Sequence, residues 1–255
     1  MGALSLVTAM CLLPLFPFSW VFNRFVGLLP AGAAQGLAVV ALPQLGLQLL
    51  RFAPPARALS WLGPHEGMAW AVVSALLYGF RTLSVRELGI WTRLLASSGL
   101  ALVWVGWWRG LPVPLLALTA LSWTVPAAVL FFLVGALSRR LGGAYLGLRG
   151  GLVAAMPRMA ASITLTVLAL TATPVFATFF ATLGDLRLLP LSWLPGALPL
   201  LFLWGWVAGR LFQDVLFGDY RGEAVTDLGR GAAALTGLAL LATVALGFYG
   251  SGVGL

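Results

Sequence analysis

Residues 10–20 read MCLLPLFPFSW, an apolar stretch that carries two prolines three positions apart. Proline has no backbone N–H and its ring clashes with the preceding turn, so it interrupts a helix. The carbonyl groups freed inside a bilayer have no water to bind, so the interruption needs surrounding protein or a watery cavity. Pro14 and Pro17 therefore predict a discontinuous transmembrane helix. Two interpretations remain open, a simple proline kink and a break of the kind found at ion or substrate sites.

The composition of the whole chain supports a membrane location. Its 255 residues are 61% hydrophobic and 9% charged, whereas soluble domains are about 45–50% apolar and about 25% charged. The mean hydropathy is +1.01. At roughly 20 apolar residues per span, the sequence predicts an all-α, polytopic transmembrane helix bundle of about eight helices. Residues 1–255 are expected to form a single membrane domain.

Charged and Pro/Gly-rich loops divide the chain into predicted spans. The first lacks the basic start and the cleavage site of a signal peptide, so it is interpreted as a genuine span. The sixth contains ITLTVLALTATPVFATFF, in which Pro174 predicts a second break, with Thr171 and Thr173 placed to satisfy freed backbone groups. The predicted spans are residues 2–22, 33–52, 68–85, 89–108, 113–138, 158–183, 192–212 and 231–249.

The arginines predict the orientation of the bundle. All fifteen basic residues are arginines, and eleven of them belong to the loops after the odd-numbered spans. The other loops hold four, which are Arg51, Arg57, Arg109 and Arg187. Because cytoplasmic loops are enriched in basic residues, both termini are predicted to lie on the outer side of a bacterial inner (cytoplasmic) membrane. The spread of arginines over short loops, instead of on one face, argues against nucleic-acid binding.

The sequence offers little for catalysis or for a metal. A single cysteine, Cys11, excludes an internal disulfide, and a single histidine, His65, excludes a histidine-based metal site. His65 and Glu66 are interpreted as a solvated pair in an outer loop. The spans contain no paired carboxylates and no Ser/His/Asp set, so no catalytic residue, cofactor or metal ligand is predicted. The acidic and basic residues of 210–230 are interpreted as a loop that docks on a partner.

Six segments together resemble one family, the antiporter-like membrane subunits of respiratory complex I (the NADH-quinone oxidoreductase chain M/N/L type) and of Mrp sodium/proton antiporters. LPLFPFSW at 13–20 resembles the family's broken-helix motif K-x-P-x-x-P-F-H-x-W. The segments that continue the resemblance in the same order are AVVALPQLGLQLLRF (38–52), LLYGFRTLSVRELGIWTRLLASSGLAL (76–102), TALSWTVPAAVLFFLVGALSRR (119–140), GGLVAAMPRMAASITLTVLALTATPVFATFF (150–180) and RLFQDVLFGDYRGEAVTDL (210–228). The resemblance covers only the C-terminal eight or so of the family's usual fourteen helices. One open alternative is that the missing half is encoded separately.

The departures from the family motifs concern its proton relay, which is built from buried Lys, His and Glu residues. The motif's first Lys falls on Leu12, the next helix's Lys on Gln44 and the Lys of D-L-K-R-L-L on Thr92, beside Arg93. The His residues fall on Ser19 and Trp123, a Tyr falls on Gln48, and the Glu after the second break falls near Thr182. None of these replacements changes its charge near neutral pH. The resemblance therefore implies a degenerate member whose relay has been replaced.

Three functions remain open. The first is an accessory membrane subunit of a complex I-like or Mrp-like assembly, with other membrane subunits as partners. An NADH-quinone oxidoreductase-like or hydrogenase-like complex is one such assembly. The second is a proton or cation channel that uses polar side chains and water. The third is an unrelated permease or scaffold, whose helix order would not superpose on the antiporter-like bundle. For the channel, the candidate polar path consists of Ser19, Gln44, Gln48, Thr92, Arg93, Ser122, Thr124, Thr171, Thr173 and Thr182.

Overall fold

Helices dominate the computed structural model, which describes residues 2–53, 62–147, 150–220, 222 and 224–253. Predicted loop residues Arg57, Arg149, Arg221 and Glu223 lie outside the described residues. The helices are α1 (Gly2–Leu12), α2 (Trp20–Leu28), α3 (Ala33–Leu50), α4 (Pro64–Ser84), α5 (Leu88–Trp108), α6 (Val113–Leu141), α7 (Pro157–Leu170), α8 (Ala177–Leu188), α9 (Pro199–Leu211) and α10 (Arg230–Val253). Short helical turns occupy Leu152–Ala155, Leu191–Trp193 and Leu194–Ala197, and a π-helical turn occupies Phe212–Leu216.

The predicted fold class, a transmembrane helix bundle with two broken helices, is confirmed. Within the described residues, five helical segments are long and apolar enough to cross a bilayer: Ala33–Leu50, Leu88–Trp108, Val113–Leu141, Leu191–Leu216 and Arg230–Gly250. The pairs α1–α2 and α7–α8 take the places of the first and sixth predicted spans, each with an interruption between its two helices. Together with α4 these elements account for the eight predicted spans.

The start of α4 corrects one interpretation. The helix begins at Pro64, so His65 and Glu66 lie in its first turn and not in a loop. Proline is favoured at the first helical position because its missing N–H has no partner there anyway. An acidic side chain in the first turn interacts favourably with the helix dipole. Both side chains are exposed, as the sequence interpretation expected.

The centre of the bundle is formed by α5 and α6. Of the most apolar 18-residue window of each helix, 83% is buried in α5 and 72% in α6, against 28% in Leu191–Leu216 and 22% in α10. A helix that is apolar all round is normally enclosed by other helices, and α5 meets this rule with fully buried Trp91 and Trp104. The segment 191–216 and α10 therefore lie at the periphery, where large apolar side chains remain exposed.

Small residues allow α3 and its entry turn to approach α6 closely. A Cβ placed on Gly36 would lie 3.0 Å from the carbonyl oxygen of Ala128, and one placed on Gly135 would lie 2.6 Å from the Cα of Gly32. Glycine at such positions brings two backbones into van der Waals contact, which is a common way to pack helices in a membrane.

Contacts between loops and helix ends define the two ends of the bundle. Leu88 donates its backbone N–H to Ala144 at 3.0 Å, and Leu146 donates to Arg86 at 2.7 Å, so the connections after α4 and α6 meet. At the other end, the Nε of Arg109, which follows α5, donates to the carbonyl of Leu188, the last residue of α8, at 2.6 Å. The loops after the third and fifth predicted spans thus meet at one end of the bundle, and the ends of the fourth and sixth meet at the other, as alternating spans require.

Candidate functional site

The first helix break spans Leu13–Ser19 and is held by tryptophans from two other helices. Pro17 has no N–H to donate to the carbonyl of Leu13, four residues earlier. The indole N–H of Trp104 on α5 donates to this carbonyl at 3.3 Å. The indole of Trp70 on α4 donates to the carbonyl of Phe16, which precedes Pro17 in a cis peptide bond. The Trp104 side chain thus replaces the helix hydrogen bond that Pro17 removes, and the Trp70 side chain satisfies a second carbonyl at the break.

A small polar cluster adjoins this break. The hydroxyl of Ser19, on the candidate polar path, is fully buried and hydrogen-bonds to the hydroxyl of Tyr78 on α4. The carbonyl of Ser19 accepts from the side-chain amide of Asn23 at 3.0 Å, and the oxygen of that amide accepts from Ser97 at 3.3 Å. Sequence reasoning missed Tyr78, Asn23 and Ser97, because they lie on three different helices and only the tertiary packing brings them together.

A cavity of about 440 Å³ opens beside this cluster, between α2, α4 and α5. Its walls include Arg24, Arg81 and Arg93, with Glu87 as the acidic group and Tyr78 among the polar ones. Arg93 is half-buried, and its Nε has no hydrogen-bond acceptor among the described residues. Arg93 is the member of the candidate polar path that lines this cavity.

The second break lies between α7 and α8, at residues 171–176. Ala172 and Val175 have positive φ angles of 52° and 93°, on either side of Pro174. The hydroxyl of Thr171 donates to the carbonyl of Val167 at 3.0 Å, and the backbone N–H of Thr173 donates to Leu168 at 3.3 Å. Thr173 thus contacts a carbonyl near the end of α7 through its backbone, whereas the Thr171 hydroxyl shares a carbonyl that already accepts the Thr171 backbone N–H.

The second break also borders a cavity of about 440 Å³. Three residues of the candidate polar path, Thr171, Thr173 and Thr182, line this cavity together. The buried hydroxyl of Thr182 donates to the carbonyl of Thr178 at 2.7 Å. Thr178, which sequence reasoning missed, donates across the break to Ala169 at 2.5 Å.

The other path residues lie apart from both cavities. The amide of Gln44 on α3 donates to the carbonyl of Ala117 on α6 at 3.2 Å, whereas Gln48, one turn later, is exposed. Thr92 and Ser122 are fully buried and donate to carbonyls of their own helices, at 2.7 and 3.0 Å. The buried hydroxyl of Thr124 has no partner among the described residues.

A buried carboxylate, Asp185 on α8, was missed by the sequence reasoning. Asp185 is 5% exposed, and its Oδ2 accepts no hydrogen bond from the described part of the chain. The predicted span ended at 183, which placed Asp185 in a loop. The signal was present, because Asp185 follows Thr182 by three residues and so lies on the same face of α8. Asp185 is therefore a buried ionisable group that the candidate polar path did not include.

The segment 224–229 packs against the helix ends instead of standing free. The carboxylate of Asp227 accepts from the backbone N–H groups of Arg158 and Met159 at the start of α7, at 2.9 and 3.1 Å, and from Leu228 at 2.6 Å. Partial burial raises the pKa of Asp227, but these three donors and the Arg158 guanidinium, 3.9 Å away, bring it below its usual value. Asp227 thus caps α7 from a distant loop, and the docking of residues 210–230 on a partner stays a prediction.

No group of three or more His, Cys, Asp or Glu side chains capable of holding a metal occurs among residues 2–53, 62–147, 150–220, 222 and 224–253. The arrangement instead offers two helix breaks, each bordered by a cavity, with arginines at the first and threonines at the second.

Three solved membrane complexes contain chains similar to this one. A chain of respiratory complex I from Thermus thermophilus with bound NADH superposes with a TM-score of 0.78 at 24% identity, over 96% of this chain and 54% of that chain. A chain of the Mrp complex from Dietzia sp. gives a TM-score of 0.82 at 14% identity, over 99% and 57%. A chain of the membrane-bound sulfane sulfur reductase, an archaeal respiratory membrane complex, gives 0.78 at 17% identity, over 96% and 52%.

The chain therefore spans about half the length of the solved chains it matches. No family model and no curated protein matches the sequence. The likeness establishes the fold, and it confirms the antiporter-like bundle expected from the sequence motifs. The third function class predicted a helix order that does not superpose on this bundle, and that prediction is wrong.

Proposed function

We propose that the chain is a membrane subunit of a multi-subunit ion-translocating assembly, in which it provides helical surface to neighbouring subunits and carries no complete proton relay. The observation on which this rests is the similarity of nearly the whole chain to chains from three membrane complexes. In the proposed orientation both termini lie on the outer side of a bacterial inner membrane, in agreement with the arginine distribution.

The hydrogen bonds of the candidate polar path support an accessory role. Proton transfer through a protein needs groups whose protonation can change in response to their neighbours. The hydroxyls of Thr92, Ser122, Thr171 and Thr182 donate to carbonyls within three or four residues of themselves. Hydroxyls that are used in this way are occupied by the backbone of their own helices and do not extend toward one another.

The peripheral helices offer the surface for neighbouring subunits. On the segment 191–216, Phe202 and Trp206 are 81% and 71% exposed, and on α10, Leu238 and Phe248 are 64% and 61% exposed. Large aromatic and aliphatic side chains on a helix face suit either lipid or another helix. Since the assembly contains further membrane subunits in this proposal, we expect at least one of these faces to be covered by them.

Isolation of the native assembly tests this proposal. The full chain carries an affinity tag in its host cell, the membranes are solubilised in mild detergent, and the co-purifying proteins are identified by mass spectrometry. We expect several membrane subunits, and weaker recovery of them when Phe202→Ala and Trp206→Ala are combined. Phe80→Ala, on the exposed face of α4 at 67% exposure, is the matched control. A chain that purifies alone from the native membrane contradicts the proposal.

Asp185 favours a second candidate function, a proton or cation path. A buried ionisable side chain in a membrane protein is costly and is usually retained for function. Asp185 follows Thr182 by one turn of α8, and Thr182 lines the cavity at the second break, although Asp185 itself does not line it. The test is proton and sodium flux into vesicles that contain the purified chain. A flux abolished by Asp185→Asn but preserved in Asp214→Asn, an acid that pairs with Arg210 at 3.6 Å, would favour this function over the accessory role.

A further inference from the structure

The three arginines that line the first cavity, Arg24, Arg81 and Arg93, form no ion pair with a described carboxylate. The described ion pairs are Arg158–Asp227 and Arg210–Asp214, so no described carboxylate lies within 4.0 Å of the guanidinium groups of Arg24, Arg81 or Arg93. Glu87 attracts Arg93 from a greater distance. With three arginines and one glutamate, the charged side chains that line the cavity carry a net charge of +2. The cavity therefore attracts an anion and repels a cation.

The depth of the arginines differs, and this gives the cavity a floor and a rim. Arg24 and Arg81 are exposed, whereas Arg93 is half-buried with its Nε enclosed and without an acceptor. Glu87 directly precedes α5, and Arg93 lies six residues later. This separation corresponds to about 9 Å along the helix axis. An enclosed N–H without an acceptor is unfavourable, so this site is completed when an anion contacts Arg93.

The position of the cavity relates it to the membrane surface. Arg81 lies in the last turn of α4 and Glu87 directly precedes α5, so the cavity reaches one end of the bundle. At its other end it is bordered by Trp20 and Phe16, which are 70% and 43% exposed. Basic side chains at a helix end beside exposed aromatic rings are the pattern expected where a lipid headgroup meets its acyl chains.

We propose that this cavity is a binding site for the phosphate group of an anionic phospholipid, with Arg93 at its floor and Arg24 and Arg81 at its rim. The planar guanidinium group matches phosphate oxygens with paired N–H donors, and basic pockets between transmembrane helices bind anionic headgroups. Trp20 and Phe16 contact the acyl chains. The site is independent of whether the chain transports ions.

A substitution at Gly27 can displace the Arg93 side chain without changing the charge of the cavity. The guanidinium group of Arg93 lies against Gly27 on α2, with its Cζ 3.1 Å from the position that a Cβ on Gly27 would take and an Nη nitrogen closer still. Gly27→Ala therefore displaces the Arg93 head group but keeps all three arginines. Alanine also suits a helix better than glycine, so we expect this variant to fold.

The experiment measures lipid binding to the full chain, purified in a non-ionic detergent, by native mass spectrometry. The probes are dioleoylphosphatidylglycerol, dioleoylphosphatidylcholine and inorganic phosphate. We expect the wild type to prefer the anionic lipid, and Arg93→Gln and Gly27→Ala each to weaken its binding about fivefold. Arg24→Gln, at an exposed position with no described side-chain partner, should have a similar effect without a risk to folding. Arg139→Gln, an exposed arginine outside the cavity, should leave binding unchanged.

Other outcomes would overturn the proposed site, or would show that it binds free phosphate and not a lipid headgroup. Equal binding of the two lipids, or an equal loss in Arg139→Gln, would show that only general surface charge attracts the lipid and would overturn the site. Wild-type binding in both Gly27→Ala and Arg24→Gln would also overturn it. Displacement of the lipid by millimolar inorganic phosphate would support a phosphate site and overturn the assignment to lipid.

Discussion

The indole N–H of Trp104 donates to the carbonyl oxygen of Leu13 at 3.3 Å, and this bond links the centre of α5 to the first helix break. In a continuous helix the carbonyl of residue 13 would accept from residue 17, which here is Pro17. The tryptophan therefore replaces the one hydrogen bond that the proline cannot form. The break is stable because a buried donor from another helix meets the freed acceptor.

Removal of this donor should destabilise the protein. Trp104→Phe keeps an aromatic ring but leaves the buried carbonyl of Leu13 without its partner, which costs about 1–3 kcal/mol. We expect a lower midpoint of thermal unfolding in detergent solution, measured by circular dichroism.

Trp123→Phe is the matched control for this variant. Trp123 is also fully buried, but its indole N–H has no acceptor among the described residues. The two variants lose the same volume, so the difference between them isolates the hydrogen bond. An equal loss of stability in both would show that the Leu13 carbonyl does not depend on Trp104.

The second break should become more stable when its backbone strain is removed. Val175 has a φ of 93°, which β-branched residues rarely adopt, and such a conformation costs on the order of 1–3 kcal/mol. Val175→Gly should raise the free energy of unfolding, because the side chain is 52% exposed and loses little packing. Val153→Gly, at 50% exposure in a helical turn with an ordinary φ, should lower it. Both are measured by thermal unfolding, and a loss in Val175→Gly would contradict the assigned strain.

The close approach of Gly135 on α6 to Gly32, which precedes α3, predicts that a larger residue at 135 is destabilising. Gly135→Ala places a methyl group 2.6 Å from the Cα of Gly32, and backbone atoms cannot move aside as a side chain can. Overpacking of this kind costs about 1–3 kcal/mol. Gly205→Ala on α9 meets no atom within 4 Å and should be tolerated. Unchanged thermal unfolding of Gly135→Ala would mean that the two backbones are less close than described.

The sequence predicted the architecture well because each architectural feature has a local signal. Pro14, Pro17 and Pro174 mark the two breaks by chemistry that acts within one turn of helix. Two further prolines, Pro43 and Pro126, lie inside continuous helices, so proline alone did not define a break. Order of motifs and spacing supplied the rest of the information.

The site was predicted less well because its groups come from distant parts of the chain. Ser19 and Tyr78 are 59 residues apart, and Asn23 and Ser97 are 74 apart. No periodicity predicts such pairs. Asp185 was missed for a different reason, since the predicted span ended at residue 183 whereas α8 continues to Leu188, and this error placed a buried carboxylate in a loop.

The cap that Asp227 provides for α7 should make stability depend on pH. Because three backbone donors and Arg158 lower its pKa despite partial burial, the ionised form stabilises the folded state. This contribution is complete above the unfolded pKa of about 3.9 and is lost as the pH falls through the lower folded pKa. At neutral pH, Asp227→Ala should lose about 1–2 kcal/mol, as for other helix caps.

Thermal unfolding of the wild type and Asp227→Ala between neutral pH and about pH 3 checks this dependence. The difference between the two proteins should narrow at the acidic end. Asp219→Ala, at an exposed acid outside the cap, should show no such change. A constant difference across the whole range would mean that the charge of Asp227 does not stabilise the fold.

A substitution at Asp185 should increase stability, because its buried Oδ2 receives no hydrogen bond from the described residues. Burial of a carboxyl oxygen without a donor is costly, and Asp185→Leu removes both carboxyl oxygens with little change of volume, whereas asparagine would leave an amide in the same place. We expect a gain of about 1–3 kcal/mol at neutral pH, measured by thermal unfolding. Asp214→Asn removes a partly exposed ion pair with Arg210, which should change stability by less than about 1 kcal/mol.

A gain in stability at Asp185, together with a loss of ion flux, would indicate a carboxylate that is retained for function at the expense of stability. A clear loss of stability would instead show that the carboxylate has a stabilising partner, and would remove the argument for an ion path beside the second break.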